Sequence, residues 1–372
     1  MNICFLALTG YPILAGTQEA RVGGAEVQMV MLAKYLASKG NRVSMVTLDC
    51  GQEDEQELHG IRVLKTFHLQ DGVPFVRFVY PRWISIWNAL RKADADVYYQ
   101  RCASMSTGLL ALFCRKYGKK YIFASGSDTD FDPGGLIINS RRDKYLYNYG
   151  LRRADLIVAQ THTQRQLLKD NYGMDATVIP NAWWSEVIEK SGNCNVRGRY
   201  NLWVSTMRSW KRPDIFLDLA EQLPGQEFVI VGGAASGEQA LFERIRAKAK
   251  KMSNVTFKGF VPFSQVGVYF DEAKMFVNTS DPKEGFPNTF LQAWQKGVPV
   301  ASYFDPDGLI RSNDLGMVAC DFKEMVRNLA CLDNDNALYT RMSENCSEYY
   351  SSHHRIDVLG EKYLSLMAGL LK

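Results

Sequence analysis

The sequence predicts an α/β protein of two doubly wound domains facing a central cleft. Three observations lead there. The chain has 372 residues, 46% hydrophobic and 23% charged, the size and composition of about two domains with ordinary cores. A strand, Gly-rich turn, helix, strand order opens the chain and returns in its second half. Short apolar runs of the kind found in parallel sheets recur between helical stretches.

Residues 2–8 form an apolar strand that runs out at Gly10. Gly23-Gly24 then open an amphipathic stretch with Val27, Val30, Met31 and Leu36 that stops at Gly40, and residues 43–48 read as the next strand. Further strands are expected at 97–99, 121–123 and 156–159. The polar segment 185–198 has loop chemistry, so residues 1–184 form the first domain and 199–352 the second. There, 202–205 read as a strand, Pro213 starts a helix that Pro224-Gly225 ends, and 228–231 run into Gly232-Gly233. Strands at 276–278 and 298–301 follow. Residues 353–372 are expected to end in a helix packing back toward the first domain. In such sheets ligands bind at the carboxyl ends of the strands, facing the cleft.

Composition excludes several functions. With 44 basic and 40 acidic residues the net charge is +4, too balanced for a nucleic-acid binder. Residues 1–180 carry 22 basic against 17 acidic side chains and the remainder 22 against 23, so the positive excess lies in the first domain. Eight scattered cysteines, without C-x-x-C or zinc spacing, fit a reduced cytoplasmic compartment and no metal centre. The apolar N-terminus lacks a basic leader, and no run reaches 18 apolar residues, so neither a signal peptide nor a membrane span is expected. The first strand is not followed by G-x-G-x-x-G, which counts against a dinucleotide dehydrogenase.

The segment 280–300 is the most informative. It reads as a strand end, an acidic turn with Glu284, a helix capped by Asn288 and closed by Gly297, and a buried strand. Backbone amides at Asn288, Thr289 and Phe290 suit a phosphate, and Glu284 just ahead of them can accept from sugar hydroxyls. Gly23-Gly24 would likewise let backbone approach a phosphate, or simply turn the chain. Asp128, Asp130 and Asp132 leave three readings open: a metal site, an Asx-rich turn, or contact with acceptor or sugar. Residues 72–93 contain Phe75, Trp83 and Trp87 with four basic residues and no acid. That segment reads either as a core-facing helix with a basic outer face or as a patch docking on anionic lipid.

Glu284-Gly285-Phe286-Pro287 with Gln292-Ala293 closely resembles the E-G-F-P-x-x-x-x-E-A motif of family 4 retaining glycosyltransferases, which have the GT-B architecture of two Rossmann-like domains. Gly23-Gly24-Ala25-Glu26, Val178-Ile179-Pro180-Asn181, Lys211-Arg212-Pro213 and Asn254-Val255-Thr256-Phe257-Lys258-Gly259-Phe260-Val261 extend the resemblance over nearly the whole chain. It implies a nucleoside diphosphate sugar donor, UDP or GDP, with no further cofactor and no metal. It also implies that Glu284 contacts the donor sugar, that Gly285, Phe286, Pro287, Asn288 and Thr289 help hold sugar and diphosphate, and that the nucleobase lies beside Phe260 and Val261. Lys211 matches the lysine that neutralises the diphosphate. The family's arginine five residues earlier is Thr206 here, and Arg208 can supply the second cation. The second motif glutamate, which binds the ribose, is Gln292, an amide that still donates and accepts. Ser125-Gly126 stand where many relatives have a histidine. Ser127, Asp128 and Asn181 are the expected acceptor or sugar contacts. Relatives that build bacterial surface polysaccharides make a lipid-linked glycan the expected acceptor, at the inner face of the plasma membrane. Other readings are a nucleotide-sugar or glycan binding protein without turnover, for which Gln292 leaves room, and a nucleotide-sugar epimerase on the same fold.

Overall fold

A computed structural model describes residues 1–17, 23–74, 76–184 and 198–372, without the side chain of Lys283. The chain divides into two compact units, Met1–Trp184 with Ile356–Lys372, and Ser185–Arg355. The expected linker at 185–198 lies outside the described residues except for Gly198, and Phe75 lies outside them as well. Gly198 already belongs to the second unit, where a Cβ would strike the backbone of Ala273.

Among the described residues the first unit has an eight-stranded sheet built from β1 (Asn2–Leu6), β2 (Arg42–Thr47), β3 (Glu55–Leu58), β4 (Ile61–Lys65), β5 (Val97–Arg101), β6 (Lys120–Ala124), β7 (Leu156–Ala159) and β8 (Thr177–Val178). Their spatial order is β3-β4-β2-β1-β5-β6-β7-β8, parallel except for β3 against β4. That hairpin turns on His59 and Gly60, both with positive φ, the combination that a two-residue turn requires. Helices α1 (Gly24–Ser38), α2 (Ile84–Ala93), α3 (Met105–Tyr117) and α4 (Arg141–Leu151) cover the sheet. Strands such as Val97–Arg101 are buried along their whole length, as parallel strands covered on both faces are.

Among the described residues the second unit has six parallel strands, β9 (Tyr200–Val204), β10 (Glu227–Val231), β11 (Val255–Gly259), β12 (Ala273–Asn278), β13 (Val300–Ser302) and β14 (Gly316–Val318), in the order β11-β10-β9-β12-β13-β14. Its helices include α5 (Pro213–Gln222), α6 (Asn288–Gln295) and α7 (Asn336–His353). The last helix, α8 (Ile356–Leu370), belongs to the first unit and lies on α1. It begins three residues after the expected 353, because His353 completes α7 and His354 is buried in the second unit. In each sheet the strand order reverses once beside the first strand, between β1 and β5 and between β9 and β12. These switch points open crevices at the carboxyl edge, where the connections diverge.

Candidate active site

In the second unit the loops leaving β9 and β12 meet at the switch point. The first makes a short turn, Ser209–Lys211, and Arg212 then takes a left-handed conformation (φ 46°) that delivers Pro213 to the first position of α5. Its guanidinium donates through Nε to the Thr279 carbonyl (2.6 Å) and through Nη2 to the Ser280 carbonyl (3.1 Å). The Thr279 hydroxyl donates to the Lys211 carbonyl (2.8 Å) and accepts from Trp203 Nε1 (3.0 Å). The Asp281 amide donates to the Trp210 carbonyl (2.9 Å). The two loops are therefore one hydrogen-bonded body.

That body brings Lys211 and Glu284 together. Lys211 Nζ donates to Glu284 Oε1, and each side chain is only 13% exposed. Nζ also sits 4.4 Å from the centre of the Trp210 ring. Glu284 Oε2 is buried and has no hydrogen-bond partner among the described residues, an open acceptor shielded from bulk solvent. Burial pushes the Lys211 ammonium below its ordinary value; the Glu284 carboxylate opposes this, and the charge of Arg208 reinforces it. Arg208 is exposed and forms no ion pair among the described residues.

Gly285 has φ 78°, a conformation that favours glycine. Beyond it, Phe286 anchors the turn in an aromatic cluster: its ring stacks on His354 at 5.5 Å and meets Trp294 edge-on at 6.0 Å, while Tyr349 packs on Trp294 at 5.6 Å. Asn288 does not cap α6 as expected. Pro287 holds that position in an extended conformation (φ −69°, ψ 127°) and Asn288 is the first helical residue. Asn288, Thr289 and Gln292 are all half-buried on this helix. On the neighbouring strands, a Cβ at Gly232 would collide with the Ser205 carbonyl and one at Gly233 would press on the Phe260 ring. Phe260 itself is 47% exposed beside half-buried Val261.

The expected contacts of the first unit lie apart from these residues in sequence and on their own sheet. Gly23 is the N-cap of α1 and Gly24 its first residue. The Glu26 carboxylate folds back over Gly23 and accepts from the Thr9 hydroxyl (2.6 Å), so this helix start carries its own anion. The three aspartates form a hydrogen-bonded turn. Asp130 is buried, and its carboxylate accepts from the amides of Gly126 (2.6 Å), Ala103 (3.2 Å) and Ser127 (3.4 Å). Burial raises its pKa while those amides hold it down. Ser127 caps the turn, Asp128 accepts from Gln164 Nε2 (3.0 Å), and Asp132 accepts from the Gly134 amide (3.0 Å). Among the described residues no cluster of His, Cys, Asp and Glu could hold a metal ion. Asn181 Oδ1 accepts from Arg101.

In the described part of residues 72–93 the two tryptophans follow the core-facing reading. Trp83 and Trp87 pack inward on the core, Trp87 edge-on to Phe113 at 5.2 Å, because Ile86 and Leu90 on the same helix are fully buried. Sequence reasoning passed over Arg212, Thr279 and Trp203. The signals for Arg212 were the Lys211-Arg212-Pro213 motif and its place before Pro213, where the right-handed helical conformation is disfavoured.

Two family models match the chain: Glycosyltransferase Family 4 over residues 22–182 and Glycosyl transferases group 1 over 198–335. No curated protein matches it. Among solved structures, sucrose-phosphate synthase from Thermosynechococcus elongatus superposes with TM-score 0.76 at 15% identity, covering 99% of this chain and 98% of that one. Anabaena HepE, in complex with UDP and glucose, gives 0.76 at 16% identity with 99% of both chains covered. The lipopolysaccharide outer core galactosyltransferase WaaB, in its apo form, gives 0.65 at 15% identity, again covering 99% of both. At these identities the likeness is one of fold.

Proposed function

The chain belongs to the family 4 and group 1 glycosyltransferases, and from that premise we propose that it is a retaining, metal-independent hexosyltransferase using a nucleoside diphosphate sugar. The observation that carries this is the Lys211–Glu284 pair at the second unit's switch point, with one carboxylate oxygen left open. A sugar hydroxyl can donate to Glu284 Oε2, and a diphosphate can draw Lys211 away from Oε1. Lys211 and Arg208 then stabilise the charge on the departing nucleotide, the contribution that a metal makes in other transferases. As the bond from the anomeric carbon to phosphate breaks, the acceptor oxygen bonds to that carbon from the same face. Its proton passes to the leaving phosphate oxygen. A single carboxylate suffices, whereas a double displacement needs a second one placed close by. The HepE complex with UDP and glucose supports a uridine nucleotide as the first candidate over a guanosine one.

A lipid-linked or surface-polysaccharide glycan at the cytoplasmic face of the membrane is the acceptor we infer. Val73, Val76, Val79 and Tyr80 are exposed on the acid-free stretch, and Arg142, 3.5 Å over the Phe78 ring, brings α4 with exposed Tyr145 alongside. These side chains, rather than the tryptophans, form the lipid-facing patch. Among the described residues no helix is long and apolar enough to cross a membrane.

The test is thermal stabilisation by a panel of nucleoside diphosphates and their sugars, with and without chelator. A ligand at 100 times its Kd adds about 2.7 kcal/mol. A shift with one nucleotide that survives chelator and is lost in Lys211→Ala is expected; no shift with any would overturn the transferase reading. Binding without turnover under any acceptor condition would favour a sugar-nucleotide binding protein, and product formed without acceptor would favour an epimerase.

A further inference from the structure

The first unit's switch point holds a buried cation that forms no ion pair among the described residues. Arg101 closes β5 there and is 8% exposed. Nη2 donates to Asn181 Oδ1 (2.6 Å), Nε is buried with no hydrogen-bond partner, and no carboxylate lies within ion-pair distance, all among the described residues. Tyr99, two residues earlier on the same strand face, is neutral and packs edge-on against Tyr363 at 6.0 Å. Of the acids of the surrounding loops, Glu26 is engaged by Thr9, and Asp130, held by three backbone amides, also feels the charge of Arg101.

Asn181 is held in place through its neighbour. The Ala182 amide donates to Gln28 Oε1 (3.0 Å) and Gln28 Nε2 donates to the Ala182 carbonyl (2.7 Å), so the strand exit is tied to the first turns of α1. A guanidinium removed from water needs an anion and full hydrogen bonding to offset its lost hydration. Here the Asn181 amide oxygen serves it, the Tyr99 hydroxyl lies within hydrogen-bonding reach, and the buried Asp130 carboxylate attracts it without pairing, at the crevice where doubly wound sheets take ligands.

We propose that Arg101 binds an anionic oxygen group of the acceptor, a carboxylate or a phosphate, at the carboxyl edge of the first unit. Asn181 takes one of the two Nη2 hydrogens; the other, beside Nε–H, completes the side-on fork that matches two oxygens of such a group. This inference rests on the transferase reading for the word acceptor, but not for the anion site itself.

The test is melting of the whole chain with UDP alone and then with methyl glucuronide, glycerol phosphate or neutral methyl glucoside added, for wild type, Arg101→Met and Arg101→Lys. Expected is a further shift of wild type by one of the two anions and none by the glucoside, the responding anion identifying carboxylate or phosphate. Arg101→Met should melt no lower than wild type without ligand, because it removes a buried charge that forms no ion pair, and should lose the anion response while keeping the UDP shift. Arg101→Lys should keep a weaker response. An Arg101→Met protein that melts well below wild type or fails to fold, an equal anion shift in all three proteins, or no anion shift in wild type would each overturn the proposal. A missing UDP shift in every protein would overturn the donor reading alone, since an anion shift abolished by Arg101→Met would still stand.

Discussion

A lysine ammonium shut against a carboxylate titrates differently from one in water, and Lys211 is lowered mainly by burial. Since its charged form is the one that holds a diphosphate, kcat/KM should fall on the alkaline side at a pH below that of an ordinary lysine, because this quantity follows the free enzyme. Lys211→Arg should move that limb upward, and a pH profile of both proteins checks it. Lys211→Ala should lower kcat by about 10²–10³-fold, the scale of a lost transition-state donor. Glu284→Gln should retain the nucleotide-induced shift but lose turnover; unchanged kcat would remove Glu284 from the chemistry. At Gly232 the limit is steric. A Cβ there meets the Ser205 carbonyl, so Gly232→Ala should cost about 1–3 kcal/mol, the usual scale of overpacking, measurable by urea unfolding.

At the scale of elements, the acidic turn is held from below by the side of α6 that carries Phe290 and Trp294. Trp294 is fully buried and touches Phe286, Phe290 and Tyr349. Trp294→Ala should therefore destabilise the second unit by about 3–5 kcal/mol and raise KM for the donor in the fraction that folds, since the same cluster positions Gly285. The two loops at the switch point are coupled more locally. Thr279→Val removes one donor to Lys211 and one acceptor for Trp203, and denaturation should show a loss of about 1–3 kcal/mol.

For the whole molecule, the chain's last element stabilises its first unit. Leu359, Tyr363 and Met367 of α8 are buried, Tyr35 donates to Glu361 (2.5 Å), and a Cβ at Gly360 would collide with the Tyr35 ring. Deleting residues 356–372 should lower the melting of the first unit and leave that of the second unchanged, as followed by calorimetry; a uniform shift of both would contradict the division. At this scale too, Val76→Asp with Tyr80→Ser should remove salt-sensitive binding to anionic liposomes, while Trp83→Phe should not. No liposome binding by wild type would end that reading.

Much of the architecture was legible because parallel strands covered on both faces must be apolar throughout, and their helices must start and stop at glycines and prolines placed by backbone geometry. Residues 2–8, 43–48 and 228–231 announce themselves in this way, and so does the Glu284-Gly285-Phe286-Pro287 motif. The β3–β4 hairpin was not legible, since Glu55–Leu58 alternates exposed and half-buried positions and His59-Gly60 is a weak turn signal. Nor could periodicity tell which way Trp83 and Trp87 face, because an amphipathic stripe has the same spacing over a core as over a membrane. The sequence by itself determined the two doubly wound sheets, the family and the candidate residues, all properties of local pattern. Only the tertiary structure decided that Lys211 meets Glu284 across 73 positions, that Arg212 ties two loops together, and that Arg101 is buried without an ion pair among the described residues. Those facts depend on which strands become neighbours, and strand order is set by packing of the whole sheet, which no window of sequence contains.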